Sequence, residues 1–547
     1  MTSYDEAVAF LGPWGRFQQV VFFLLCACIV PNGFGAFTLV FLTDVPAHHC
    51  NHLNLHSGYE SVSPSVCSRH QVVNGKPELS RCSRYKLGAI RNLSARGFTP
   101  GRNINLTDLE QEACVDGWRY STDVYQSTVV SEFDLVCRDQ WKQPFTSTVF
   151  FVGVLVGAFF SGQLSDRFGR KPVVFGSIAL QSVSTFAEAF SASWTMFIVI
   201  VFINGLGQIS NFVAALVLGA EVLTGNVRVL YSSMGSCLGF AAGYMMLPLF
   251  AYFLRDWRSL MLALSLPGLA YIPLWWLVPE SPRWLLSKGR VEEAEAIVRK
   301  AAKWNKVRAP EVIFEEYSVL ETKTPSKEHH TVFDLLRNVN TLSTVEVVMT
   351  TAYIGLSFNT AQLYDDPYIS CFISALVEIP AYVSSWLALR HLSRQLAFIG
   401  TLLLGGLPLF CVQLVPRHLS NVCLALEMVG KYAVTTGSSL TFAYSAEIYP
   451  TVLRNTATGT WSTVSRLGSC IRFLNSPSFS VGIYLECLPH IILGSLAVAS
   501  AFAVLFLPET FGQPLPETIQ QMRKRERYLY QNSMLFFFSR QTFAAFS

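Results

Sequence analysis

Residues 162–171 read Gly162-Gln163-Leu164-Ser165-Asp166-Arg167-Phe168-Gly169-Arg170-Lys171, a charged turn between two long apolar runs, Phe145–Phe160 and Val173–Phe190. Gly169 permits a tight reversal there. Asp166 falls at a helix end beside Arg167, Arg170 and Lys171, and these charges can pair with Glu221 or Arg228 across a helical bundle. Such pairs would latch one face of the bundle in one of two states. The plainer alternative is that the basic residues only mark which side of a membrane the turn faces.

Working outward, apolar runs recur along the chain, which has 51% hydrophobic and only 14% charged residues. Val20–Leu42, Phe145–Phe160, Val173–Phe190, Met196–Leu218, Gly235–Leu254 and Leu260–Val278 form a first set. Ile369–Leu389, Leu396–Leu414, Asn421–Tyr444 and Leu488–Leu507 belong to a second, with weaker candidates at Val345–Phe358 and Thr456–Leu485. Most approach the roughly 20 residues a helix needs to cross about 30 Å of hydrocarbon. The expected architecture is an all-α membrane protein of about twelve spans. Residues 1–19 precede the first half (20–278), residues 279–340 link it to the second (341–508), and 509–547 form a tail. No cleavable signal peptide is read at the start, because the first run is too long and no small-residue cleavage site follows it.

Basic residues set the orientation. Arg167, Arg170 and Lys171, the mid-chain group from Arg283 to Arg308, and Arg523 to Arg527 all fall on one side of the span count. That side is expected to be cytoplasmic, with both termini inside. The net charge of +4 says little about nucleic acid, and no nucleic-acid partner is expected. Residues 43–144 then form a large outer loop. It holds Cys50, Cys67, Cys82, Cys114 and Cys137 and glycosylation sequons at Asn92 and Asn105, as an oxidising exterior would favour. Five cysteines leave one unpaired; Cys50, Cys82, Cys114 and Cys137 are the four expected in disulfides, with their pairing open.

The two halves repeat one another. Glu221 precedes Arg228 by seven residues, and Glu447 precedes Arg454 by the same spacing. Pro279-Glu280-Ser281 ends the sixth span as Pro508-Glu509-Thr510 ends the twelfth. Two homologous six-span halves are the architecture of a rocking transporter with its site near the midplane. The chain has no Gly-x-x-x-x-Gly-Lys-Ser/Thr loop, His-Glu-x-x-His or Cys-x-x-Cys, so neither an ATP-driven motor nor an enzyme is expected. A channel would need a filter sequence or a charge-rich voltage sensor.

The Gly162–Lys171 turn resembles the loop signature of the major facilitator superfamily, position for position. Further stretches narrow the likeness: Pro31-Asn32-Gly33-Phe34 in the first span, Cys114-Val-Asp-Gly-Trp118, Glu132-Phe-Asp-Leu-Val-Cys137, Pro279-Glu-Ser-Pro-Arg-Trp-Leu285 and Glu447-Ile-Tyr-Pro-Thr-Val-Leu-Arg454. Together they are similar to the organic cation, anion and zwitterion transporter family. Gly207-Gln-Ile-Ser-Asn211 and Ser465-Arg-Leu-Gly-Ser469 resemble its carnitine and organic-cation branch. The resemblance implies the major facilitator fold in two pseudo-symmetric halves. It also implies a plasma-membrane carrier of carnitine-like zwitterions and quaternary ammonium compounds, driven in part by sodium, with no organic cofactor. Ergothioneine uptake and sodium-independent cation transport are the alternatives.

Arg466, inside a span, suits a substrate carboxylate, because a membrane-buried cation needs an anionic partner. Its structural alternative is a pair with Glu427 or Glu188. Tyr444, Phe240 and Phe212 are candidate walls for a quaternary ammonium group, and Gln181 is a candidate lining residue of the same cavity. Asn32, Gln208 and Asn211 are the candidate sodium residues, since amide oxygens suit a hard cation; interhelical hydrogen bonding is the alternative. Two spans depart from the family pattern. Glu346 appears in the seventh, leaving Val347–Phe358 about half a crossing, and Arg472 and Asn475-Ser-Pro477-Ser interrupt the eleventh. A transport-deficient variant is therefore a further alternative.

Overall fold

The computed structural model describes residues 4–12, 14–51, 68–73, 76–86, 110–311, 313–314, 340–359, 366–412, 415, 419–448, 488–505 and 509. The first half contains α1 (Arg16–Leu42), α2 (Lys142–Phe168), α3 (Arg170–Glu188), α4 (Trp194–Val222), α5 (Ser236–Phe253) and α6 (Trp257–Ser265). α6 continues through short turns, so the apolar segment runs Trp257–Leu277. Two short helices, α7 (Pro282–Ser287) and α8 (Val291–Asn305), follow. The second half contains α9 (Asn340–Asn359), α10 (Pro367–His391), α11 (Arg394–Val412), α12 (Ser420–Ile448) and α13 (Leu488–Val504). Among the described residues, seven segments are long and apolar enough to cross a membrane. Of the other bundle helices, α3, α9 and α12 carry more polar residues, while α13 is apolar but shorter. Thr456–Leu485, the eleventh expected span, lies outside the described residues, as do Arg454 and Arg466.

In the seventh span the apolar stretch is short, Val347–Ser357, as the sequence reading expects, although the helix itself is longer. α9 runs 20 residues, straight through position 346, which at 1.5 Å per residue is about 30 Å. Glutamate is a good helix former, so the helix continues through position 346 while the apolar stretch begins after it.

The repeat is visible in the packing. α4 packs on α1, α2 and α3, and α12 packs on their counterparts α9, α10 and α11; α3 meets α6 as α11 meets α13. The halves join where α5 crosses α10. Close backbone approach holds the first half together. A Cβ at Gly33 would lie 2.0 Å from the Phe240 carbonyl, and one at Gly243 would lie 2.0 Å from that of Val30, so α1 and α5 can touch only through glycine.

At the end of the bundle carrying Arg170, here the basic end, both halves use the same helix cap. Glu280 Oε1 accepts the backbone N–H groups of Arg170 (3.0 Å) and Lys171 (3.1 Å) at the start of α3. Glu509 does the same for Arg394 (2.9 Å) and Gln395 (3.1 Å) at the start of α11. A carboxylate at a helix N-terminus satisfies orphan donors and meets the positive end of the helix dipole.

The opposite, loop end carries the insertion between α1 and α2. Its strands are β1 (His48–Cys50), β2 (Ser68–Val73), β3 (Lys76–Tyr85), β4 (Gln111–Ala113) and β5 (Trp118–Tyr120); β1 pairs with β5, and β2-β3-β4 form a second small antiparallel sheet. Disulfides join Cys50 to Cys114 and Cys82 to Cys137. Cys67, Asn92 and Asn105 lie outside the described residues.

Glu280→Ala and Glu509→Ala each strip the cap from two backbone donors. Each is expected to cost about 1–2 kcal/mol, read as a lower thermal midpoint of the purified chain in lipid nanodiscs. Unchanged midpoints for both would show that the caps carry no stability.

Candidate functional site

Where the halves meet, Lys431 of α12 and Glu378 of α10 are both fully buried, with Nζ 3.5 Å from Oε1. Lys431 Nζ also donates to Ser374 Oγ and, at 3.4 Å, to Tyr244 OH of α5. Tyr353 of α9 donates to Glu378 Oε1 at 2.7 Å, and Tyr382 donates to Oε2 at 3.2 Å. Rings close around the ammonium group: its distance to the ring centre is 4.6 Å for Tyr244, 5.8 Å for Phe37 and 5.9 Å for Tyr353. Phe37 of α1 stacks on Tyr244 at 4.1 Å. Helices α1, α5, α9, α10 and α12 thus contribute to one cluster holding a positive group, a negative group and cation-binding ring faces.

A second polar cluster lies within the first half. Pro31 cannot donate to the carbonyl of Ala27, and that carbonyl instead accepts Tyr271 OH at 3.0 Å. Around this break, Gln181 Nε2 donates to Pro31 O (3.1 Å), Gln208 Nε2 to Asn32 O (2.8 Å) and Asn211 Nδ2 to Cys28 O (2.9 Å). Asn211 Nδ2 also lies 3.4 Å from Asn32 Oδ1. The side-chain oxygens of Gln181 and Asn211 are buried and accept no hydrogen bond. A hard cation binds through such oxygens.

The structure brings Asn32, Gln208 and Asn211 together and places Gln181 beside them in this amide cluster. Phe240 packs edge-on against Phe37 at 6.2 Å, one layer behind the Lys431 cluster. Phe212 packs with the apolar core of the basic end. Tyr444 is buried in the core of the second half against Phe398 (5.3 Å), so the three rings do not line one wall. The sequence reading missed Lys431 and Glu378, although an ionisable residue inside an apolar span is itself the signal.

At the basic end Arg170 grips Glu221, Nε–Oε2 3.1 Å and Nη2–Oε1 3.0 Å, and reaches Asp166 Oδ1 at 2.6 Å. Ser281 Oγ donates to Glu221 Oε2, and Trp284 Nε1 to the carbonyl of Asp166. Arg228 bonds the Leu223 carbonyl at 3.1 Å, while Arg167 is exposed beside Phe168. Glu447 ends α12. At the loop end the halves meet through Tyr368 of α10, which stacks on Phe41 (5.6 Å) and donates to Val124 O (2.9 Å). Tyr125 packs beside it and donates to Asp44 Oδ2 at 2.8 Å. Burial holds the Asp44 carboxyl above the usual carboxylate range, against the hydrogen bonds from Tyr125 and the Val45 amide.

Residues 116–522 match the family model described as sugar (and other) transporter. The chain is 47% identical over 532 residues to rat organic cation/carnitine transporter 2, covering 95% of this chain and 94% of the relative. The human protein of that name is 48% identical over the same length, and mouse solute carrier family 22 member 4 is 46% identical over 534 residues, covering 96% of this chain and 95% of the relative. In fold, the chain is similar to the E. coli xylose transporter XylE in its inward open conformation, with a TM-score of 0.58 at 16% identity, over 90% of this chain and 98% of that one. This chain belongs to the sugar (and other) transporter family of the major facilitator superfamily, in its organic cation/carnitine transporter branch, and is a membrane transporter, not an enzyme.

Proposed function

We propose that this chain carries carnitine-like zwitterions and organic cations across the plasma membrane by alternating access, coupled to sodium, with the basic end and both termini in the cytoplasm. The observation that carries the solute reading is the Lys431–Glu378 pair at the seam between the halves. A buried ion pair is held against a large desolvation cost, and a zwitterion can replace each partner for the other. Its carboxylate takes the ammonium of Lys431 and the hydroxyls of Ser374 and Tyr244. Its quaternary ammonium takes Glu378 and the faces of Phe37, Tyr244 and Tyr353. The solute then touches both halves, through Lys431, Ser374 and Glu378 of the second and Tyr244 and Phe37 of the first, and the halves stay joined while they rock. Arg170, Glu221 and Asp166 form the latch at the cytoplasmic face, and the Tyr368, Phe41 and Tyr125 stack seals the outer one. Arg466 is a second carboxylate partner from the eleventh span.

For sodium, the unpartnered oxygens of Gln181 and Asn211, with the Asn32 amide beside them, fit a hard monovalent ion. Bound there, the ion supplies fixed positive charge near the break in α1. The cluster's amide donors already hold three α1 carbonyls, so the pocket is braced before any ion arrives.

In cells expressing the chain, labelled carnitine uptake is expected and should fall when choline replaces sodium; no carnitine or ergothioneine uptake despite surface expression would overturn the solute reading. Lys431→Met leaves Glu378 without its cation. It is expected to reduce carnitine uptake at least about tenfold, the effect of losing about 1.4 kcal/mol, while tetraethylammonium uptake is kept or raised. Arg466→Ala is expected to lose carnitine and keep the simple cation; equal loss of both would make Arg466 structural. Glu378→Gln should depress both solutes. Gln181→Ala and Asn211→Ala are expected to raise the half-saturating sodium concentration about tenfold. Carnitine uptake indifferent to sodium in the unmodified chain would remove the coupling.

A further inference from the structure

Glu188 ends α3 near the loop end and is only 4% exposed. Among the described residues no basic side chain pairs with it. Its one side-chain partner there is Asn204 of α4, whose Nδ2 donates to Oε1 at 2.8 Å and to Thr185 Oγ1 at 3.1 Å. Arg258, on the same end of the bundle, directs its guanidinium to Glu132 and to the carbonyls of Ala189 and Ser191. Asn204 is 8% exposed, and its Oδ1 accepts no hydrogen bond. Glu188, Asn204 and Thr185 face a cavity of about 20 Å³ whose remaining wall is mostly apolar, including Phe34, Leu42 and Leu264.

A single carboxylate in that setting is costly unless something neutralises it. The cavity has room for one water-sized occupant. It offers a carboxylate oxygen, an orphaned amide oxygen and a threonine hydroxyl, all hard ligands. The last turn of α3 adds the negative end of its helix dipole. The cavity also touches the amide cluster: Gly35 lines it, and a Cβ there would lie 2.8 Å from Gln181 Nε2. Spacing explains the continuity. Gln181, Thr185 and Glu188 fall at i, i+4 and i+7 on α3, as Asn204, Gln208 and Asn211 do on α4, so both rows face one seam.

We infer that Glu188, Asn204 and Thr185 form a second monovalent-cation site, one to two helix turns toward the loop end from the amide cluster, and that sodium is its occupant. One carboxylate balances one positive charge, which disfavours a divalent ion. The site stands on the cavity and its ligands, independent of whether sodium drives uptake.

The test is thermal stability of the purified full chain in nanodiscs, titrated with sodium chloride against choline chloride at constant ionic strength, alongside carnitine uptake in cells. The unmodified chain is expected to gain stability with sodium. Glu188→Gln, nearly isosteric and neutral, should raise the half-saturating sodium for that gain about tenfold, and Thr185→Val should move it in the same direction. A sodium titration unchanged by both variants overturns the site. So does a stability that responds to pH through Glu188 but not to sodium, because the carboxylate would then be neutralised by a proton. Thermal stabilisation that depends on Glu188, with uptake indifferent to sodium, upholds the site and removes only the coupling.

Discussion

A lysine and a glutamate without exposed surface lie where the two halves of this transporter meet, and the surrounding structure is arranged to keep them. In a bilayer neither charge can be hydrated, and removing one partner would strand the other. Helices α5, α9 and α10 therefore supply hydroxyls at the right distance: Tyr244 and Ser374 for the ammonium, Tyr353 and Tyr382 for the carboxylate. α1 adds a ring face through Phe37. Satisfying one buried pair thus ties five helices from both halves to a common centre. A zwitterionic solute, as proposed, would meet the same arrangement of partners.

Around that centre the halves are built as rigid units. Glycines let α1 and α5 touch backbone to backbone, and equivalent carboxylates cap α3 and α11. The repeated cap is informative because it is functional in geometry, not only in sequence: Glu280 and Glu509 each close the first turn of the third helix of their half. Rocking one unit against the other requires each to move whole. A frayed α3 would also release Arg170, whose guanidinium holds Glu221 and Asp166 and whose backbone N–H is the capped donor.

Much of this was legible beforehand. The Gly162–Lys171 turn, the Glu280 and Glu509 repeats and the apolar runs identified the two-half architecture, because charged punctuation between spans is forced by the bilayer and leaves a clear trace. Three physical effects hid the rest. Glu346 bounds a short apolar stretch as the sequence implies, but the longer helix around it is not legible from hydropathy. Gln181 is legible as a polar residue in a span, but its partner, the Pro31 carbonyl on α1, is not. Lys431 and Glu378 were passed over within Asn421–Tyr444 and Ile369–Leu389, because partnership between distant helices cannot be read from spacing along either one. Tyr444 shows the converse: its position in a span is right, but its ring belongs to the core of the second half.

α1 is the element that joins the amide cluster and the Glu188 cavity to the Lys431 cluster. Pro31 and Asn32 lie in the amide cluster, Gly35 lines the cavity beside Glu188, and Phe37 stacks on Tyr244, whose hydroxyl meets Lys431. Five residues separate Asn32 from Phe37, about 7.5 Å along a helix, so an ion and a solute need not touch to feel each other. An ion that fixes the carbonyls around Pro31 fixes the helix segment that presents Phe37. A solute that displaces the Lys431–Glu378 pair must be packed by that same ring. The proposed coupling would then be a shared preference of two ligands for one position of α1, and by linkage each would strengthen the other by the same factor.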